Sequence, residues 1–414
     1  MPQTLPRNKS WWVILTACLA VIIGWNYWLP MAEDFYNLVT EANETRRFPL
    51  RNVDFFAYYN AGSRFENGQN PYFYTRADQT NFSDYIYPPT LLPVFGLISR
   101  MDYDAARLFW LGLNFTGYIL SFSMLLVVTR RELRPVLLAC GLVLTTASFP
   151  LLMHIHNGQS DLLVISLVLI GYVAYIKEKK AAAAFLLALA ALTKVSPALF
   201  LIFFVLFLRD IRFLLYFIIA AVGMVLLSLL AVPFQLYLDY VLEVLPEVGK
   251  GTAYWLNQSI VKFVPASMGF LAQAIMAGGL GIFGLFTWWL SRRYPAEIRL
   301  PGKILPDTQT VAETVFFLNL LVILVFVGKA WSMVYVWTIL PSALLVVRMY
   351  VQPPRAWYVV LVFLAVFLLV SKVYGYPILN SLNLWGSLLL ASLLVLSLIK
   401  KEWVYPLPEN VEQA

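Results

Sequence analysis

Residues 181–208 read AAAAFLLALAALTKVSPALFLIFFVLFL, an almost unbroken run of Ala, Leu and Phe whose single charge, Lys194, falls near its middle. A helix needs about 20 such residues to cross the hydrocarbon of a bilayer. Runs of this kind recur from Trp11 to Lys400. The chain is 60% hydrophobic and 13% charged, whereas soluble domains carry about 25% charge, so it cannot cover a soluble surface. Backbone polar groups in lipid must be satisfied within each segment, and the alternation of a β-barrel is absent. The expectation is an all-α, polytopic transmembrane helical bundle of about 10–12 membrane helices, one integral membrane domain over 1–414.

The expected spans are 11–30, 105–128, 136–153, 161–176, 212–232, 264–290, 310–327, 331–348, 356–372 and 383–399, the last group forming a C-terminal set over 264–399. Short basic loops at Arg130, Arg131 and Arg134, at Lys177, Lys179 and Lys180, at Arg209 and Arg212, at Arg292, Arg293, Arg299 and Lys303, and at Arg348 and Arg355 read as cytoplasmic. Both termini, with Arg7 and Lys9 and with Lys400 and Lys401, then lie inside. The long polar segment 31–86 becomes the first extracytoplasmic loop. Two stretches do not fit single spans. Residues 87–99 are too short, and 181–208 are interrupted by Thr193, Lys194, Ser196 and Pro197. Irregular backbone at membrane depth is tolerated only against protein or a wet cavity.

Several function classes drop out. The net charge of +7 is spread between apolar runs with no basic, aromatic-interleaved stretch, so no nucleic-acid partner is expected. Cys18 and Cys140 sit inside apolar runs, where small hydrophobes belong, and no disulfide or thiolate metal site can be read. His154 and His156 are spaced to opposite faces of a helix, which argues against a metal site.

On this topology four polar sequences meet at the outer face: the loop around Asp54, the turn His156-Asn157-Gly158-Gln159-Ser160-Asp161, the break at Lys194, and Asn257-Gln258-Ser259. Asp54 lies in an aromatic, amphipathic stretch suited to the interface. There a carboxylate can serve as a general base or cap a short helix. Lys194 is deep in apolar sequence, where an ionisable residue either binds a ligand or snorkels to a headgroup. Lys329 beside Trp331 marks either a phosphate contact or a helix end. The two amide-rich turns suit sugar hydroxyls or simply end helices.

Taken in order, these pieces resemble glycosyltransferase family 87, the polyprenyl-phosphate-sugar-dependent mannosyltransferases of the GT-C superfamily. The resemblance runs over about residues 10–270. It rests on Asp54-Phe55-x-x-Tyr58-Tyr59-x-Ala61-Gly62, Gly68-x-x-Pro71-Tyr72, Tyr85-x-Tyr87-Pro88-Pro89, Asn157-Gly158-Gln159-x-Asp161, Ala190-Ala191-Leu192-x-Lys194-x-x-Pro197 and Asn257-Gln258-Ser259. It implies a GT-C-like bundle in the cell membrane and inverting transfer of mannose or another hexose or pentose. The donor is a polyprenyl phosphate and the acceptor a hydroxyl of a glycolipid or glycan on the extracytoplasmic face. No metal or nucleotide cofactor is implied. Asp54 matches the catalytic base and Lys194 the phosphate-binding lysine, with Lys262, Lys329 and Arg64 as further cations. Tyr58, Tyr59, Tyr87, His156, Asn157, Gln159, Asp161, Asn257 and Gln258 are the expected sugar and acceptor contacts. One stretch departs: where the family carries a Ser-Pro-x-Ser-Trp-x-His-His-like sequence, this chain reads Gly328-Lys329-Ala330-Trp331-Ser332-Met333-Val334-Tyr335. The rival reading from sequence is a transporter or a flippase for lipid-linked sugars, which shares the many spans and broken helices.

Overall fold

The protein is described by a computed structural model, which covers residues 21, 24–25, 53–73, 84–252, 254, 256–294, 310–351, 354–373 and 379–400. Most of the expected first span at 11–30, the charges between Asp34 and Arg51, and Arg7, Lys9, Arg299, Lys303 and Lys401 lie outside those residues. Among the described residues the elements are helices, and the only β pairing is an isolated antiparallel bridge between Asn257 and Trp331.

The principal helices are α1 (Val53–Glu66), α2 (Leu92–Ser99), α3 (Tyr103–Val128), α4 (Arg134–Thr146), α5 (Phe149–Asn157), α6 (Asp161–Ile176), α7 (Lys180–Thr193), α8 (Ile211–Ser228), α9 (Gly269–Arg293), α10 (Thr310–Phe326), α11 (Ile339–Val351), α12 (Ala356–Val370) and α13 (Leu382–Lys400). Among the described residues five single helical stretches are long and apolar enough to cross a membrane: Tyr103–Val128, Ile211–Ser228, Gly269–Arg293, Ser332–Tyr350 and Leu379–Lys400. Shorter apolar helices fill the expected spans at 161–176, 310–327 and 356–372. The all-α, polytopic membrane architecture read from the sequence is what the chain adopts.

Two expected spans differ in form, and the short stretch 87–99 is resolved. The run at 136–153 is two helices, α4 and α5, bent by 59°. The break falls where Ser148 accepts a hydrogen bond from Leu151 N at 3.2 Å and Pro150 follows in the first turn, so a new helix starts there. The run at 331–348 opens with a 3-10 helix, Ser332–Thr338, before α11. Residues 87–99 form a 3-10 turn, Pro89–Leu91, and α2, whose 8 residues reach only about 12 Å and do not cross. The interruption expected inside 181–208 is present. α7 stops at Thr193, Lys194 is extended (φ −153°, ψ 127°), and a 3-10 helix, Ser196–Phe200, leads into a π-helical turn, Ile202–Phe207.

α6 and α7 form a hairpin, α3 packs on α6, α12 on α13, and α10 lies against α13. α10 is buried nearly throughout, whereas α8 buries only Phe213 and turns Leu215, Ile219, Val222 and Leu226 outward, the face a lipid-exposed helix presents. A second, aromatic core joins the segment ahead of α3 to the bundle: Phe55, Tyr58, Tyr85, Tyr87, Phe95 and Trp110 pack with Leu236 and Tyr240. Its key contact is between α1 and α2. A Cβ on Gly62 would stand 2.1 Å from the Phe95 carbonyl oxygen, and backbone cannot yield as a side chain can.

Gly62→Ala is therefore expected to push α1 off α2. Overpacking of this kind costs about 1–3 kcal/mol. The expected readout is a lower melting temperature in detergent. An unchanged melting temperature would show that the two helices are not held at this distance.

Candidate functional site

The start of α6 is assembled before any ligand is considered. Gly158 ends α5 in the left-handed conformation (φ 68°), which turns the chain so that Gln159, Ser160 and Asp161 are driven into the protein. Trp110 Nε1 donates to Gly158 O at 3.0 Å, and Asn114 Oδ1 accepts from Leu163 N at 3.0 Å. Both partners are on α3, so the turn is fixed by a helix far away in sequence.

α1 reaches this turn through Tyr58. Its hydroxyl donates to Gln159 Oε1 at 3.2 Å and lies 3.1 Å from Ser160 Oγ, while Tyr87 OH donates to Gln159 Oε1 at 3.4 Å. The two tyrosine rings are 4.9 Å apart. Asp54, partly buried in the first turn of α1, is close enough to act on Tyr87. Burial first, and the Asp54 charge next, push the Tyr87 hydroxyl above its ordinary range. Burial does the same to Tyr58. Both hydroxyls remain protonated donors at neutral pH.

The second half of the site is an ion pair across the α6–α7 hairpin. Lys194, leaving the end of α7 in extended backbone, places Nζ 2.7 Å from Asp161 Oδ1, and the side chains are 16% and 0% exposed. Asp161 Oδ2 has no hydrogen-bond partner among the described residues, nor does either ring nitrogen of the fully buried His154. Lys194 is the charge that acts on the His154 ring. An unsatisfied buried polar atom costs about 1–3 kcal/mol, and native structures keep few of them. Here they stand beside an ammonium that keeps part of its surface open.

The remaining expected contacts divide. Tyr58, Tyr87, Gln159, Asp161 and Lys194 come together with Asp54 nearby. Tyr59 instead donates to Met101 O at 2.9 Å. Arg64 donates to Asn70 O at 2.9 Å and Phe73 O at 3.4 Å, bracing the loop after α1. His156 is exposed, on the opposite side of α5 from His154. Asn157 bonds Met153 O and touches Met333 Sδ at 3.5 Å, where α5 packs on Ser332–Thr338.

Asn257 and Gln258 tie loops together. Asn257 Oδ1 accepts from Ala330 N at 3.0 Å, its Nδ2 donates to Thr252 O and Gly328 O, and Gln258 Nε2 donates to Asn380 O at 2.7 Å. Lys262 Nζ donates to Asn380 O at 2.8 Å, and burial lowers its pKa to about 8. Lys329 has its pKa lowered by burial, opposed by Asp84 and Glu247. Asn257 and Gln258 thus clasp Gly328 and Ala330 at the start of the departing stretch, while Met333 further along it touches Asn157.

The sequence reading named His156 as a contact, whereas it is His154 that the structure turns toward Lys194. The signal was available: on α5 the buried positions are Pro150, Leu151, His154 and Asn157, a helical repeat that turns 154 inward and 156 out. A separate polar cluster was not anticipated. Glu313, Thr314, Arg348 and Tyr172 line a cavity of about 40 Å³, and Arg348 Nη1 donates to Thr314 Oγ1 at 2.6 Å. Tyr172 lies about three turns along α6 from Asp161, so this cluster belongs to the other end of the bundle.

A family model described as "Glycosyltransferase family 87" matches residues 85–371. That stretch holds Tyr87, Gln159, Asp161, Lys194 and Asn257; Asp54 precedes it. No curated protein and no solved structure matches the chain.

Proposed function

The chain belongs to glycosyltransferase family 87, and from that premise we propose that this multi-pass membrane glycosyltransferase moves a sugar from a polyprenyl phosphate to an acceptor hydroxyl of a glycolipid or glycan, with inversion. The observation that carries the reading is the Lys194–Asp161 pair with its unpartnered polar neighbours, brought to the same end of the bundle as Asp54, Tyr58 and Tyr87.

The chemistry asks for a base, a cation and hydroxyl-binding groups. Asp54 takes the acceptor proton as the hydroxyl oxygen bonds to the anomeric carbon, and the bond from that carbon to the phosphate oxygen breaks. The electron pair stays on the carrier, which leaves as a phosphate monoester. Lys194 stabilises the charge gathering there. Tyr58, Tyr87 and Gln159 form a rigid polar wall for sugar hydroxyls, held by the aromatic core behind it. The positive-inside pattern of the loops supports an extracytoplasmic position for this end in the cell membrane.

Purified protein in lipid nanodiscs, given radiolabelled polyprenyl-phosphate sugars and a membrane lipid extract, is expected to yield a labelled lipid distinct from the donor. Movement of intact donor across a vesicle bilayer with no new product would overturn the transferase reading in favour of a flippase.

A further inference from the structure

We propose that Asp161 is the release element of this site: a buried carboxylate that competes with the carrier phosphate for Lys194 and returns the lysine when the product must leave. The proposal rests on the reading of Lys194 as the phosphate's partner and deepens it, because it moves Asp161 from a sugar contact to a positioning residue.

The geometry fixes the direction of the competition. Asp161 lies behind Lys194, wholly buried, and Lys194 Nζ is its hydrogen-bond partner at 2.7 Å, while Oδ2 has none among the described residues. Lys194 keeps 16% of its side chain exposed, so a phosphate approaches the ammonium from the open side. An anion that draws Nζ outward leaves a carboxylate that water does not reach. Such a charge is unfavourable until its partner comes back. The first residue of α6 cannot follow the lysine, because the turn before it is anchored to Trp110 and Asn114 on α3.

Transfer chemistry gives this competition its use. The donor is a phosphodiester with one negative charge, and the product carrier is a monoester that carries up to two. The acceptor proton goes to Asp54, so the charge on the leaving phosphate grows as the glycosidic bond forms. A lone lysine would therefore grip the product more tightly than the substrate. With Asp161 behind it, Lys194 answers the growing charge during the step and is then drawn back.

The test uses full-length protein in nanodiscs with polyprenyl phosphate as the product-like inhibitor. In Asp161→Asn the inhibition constant is expected to fall by about tenfold or more, the size expected when an opposing charge is removed beside a bound anion. Steady-state turnover should fall while the first turnover, measured by rapid quench, keeps its rate. Asp161→Glu, which retains the charge, should return the inhibition constant toward that of the unaltered protein, a rescue that a packing role would not give. An unchanged or higher inhibition constant in folded Asp161→Asn overturns the proposal.

Should Asp161→Asn not fold, the smaller Asp161→Ser supplies the second measurement. Its inhibition constant for polyprenyl phosphate is likewise expected to be about tenfold below that of the unaltered protein, and an unchanged or higher value would overturn the proposal. Absence of any sugar transfer by the unaltered protein is a different outcome, and it would remove the transferase reading itself.

Discussion

Asp54→Asn is expected to cut turnover by about a hundred- to ten-thousand-fold, the range general-base assistance supplies, while the protein stays folded. The amide keeps the size of the side chain and much of its hydrogen bonding but cannot hold the acceptor proton. The fold should survive because α1 is secured by other residues: Gly62 against the Phe95 backbone, Tyr58 on Gln159 and Ser160, and Phe55 fully buried in the aromatic core. Donor affinity should change little, since the proposed phosphate partner is Lys194. The measurement is kcat alongside a melting temperature. Two other acids, one on α1 and one on α6, are engaged elsewhere. Glu66 is paired with Arg100 and Asp161 with Lys194. If folded Asp54→Asn turns over normally, proton removal does not depend on Asp54, and the role assigned to α1 fails.

Helices were the most legible feature of the sequence because their signal is local. The apolar run and its interruption at Lys194 lie within one window of sequence, and Pro197 together with that charge predicts a break where one occurs. The bend between α4 and α5 was missed although Ser148 and Pro150 announce it, because uninterrupted hydropathy outweighed two turn residues. Contacts within the site were legible only as coincidence. Tyr58 meets Gln159 across 101 positions and Lys194 meets Asp161 across 33, and no periodicity reports such distances. Arg64 and Lys262 looked like free cations in sequence. In the structure they hydrogen-bond loop carbonyls, which need a donor as a phosphate does. The Glu313–Arg348 cluster was invisible for the opposite reason: its members read as the polar ends of separate helices until the bundle closes around them.

Lys194→Gln is expected to reduce turnover by about a hundred- to a thousand-fold, the usual effect of removing one group that stabilises charge in the transition state. The ion pair adds a complication that sequence alone did not show. Without Lys194, Asp161 is a buried carboxylate that has lost its ion-pair partner, and breaking such a pair typically costs about 3–5 kcal/mol. Activity and stability therefore fall together in the single variant, and neither loss alone identifies its cause. The double variant Lys194→Gln/Asp161→Asn separates them. It removes both charges, and two neutral amides of nearly the original size can hydrogen-bond across the same hairpin, so the melting temperature should recover most of what the single variant lost. Turnover should not recover, because no cation faces the carrier phosphate. Recovery of both would make the pair a structural tie between α6 and α7, and the phosphate would have to be held by Lys329 or Lys262 instead.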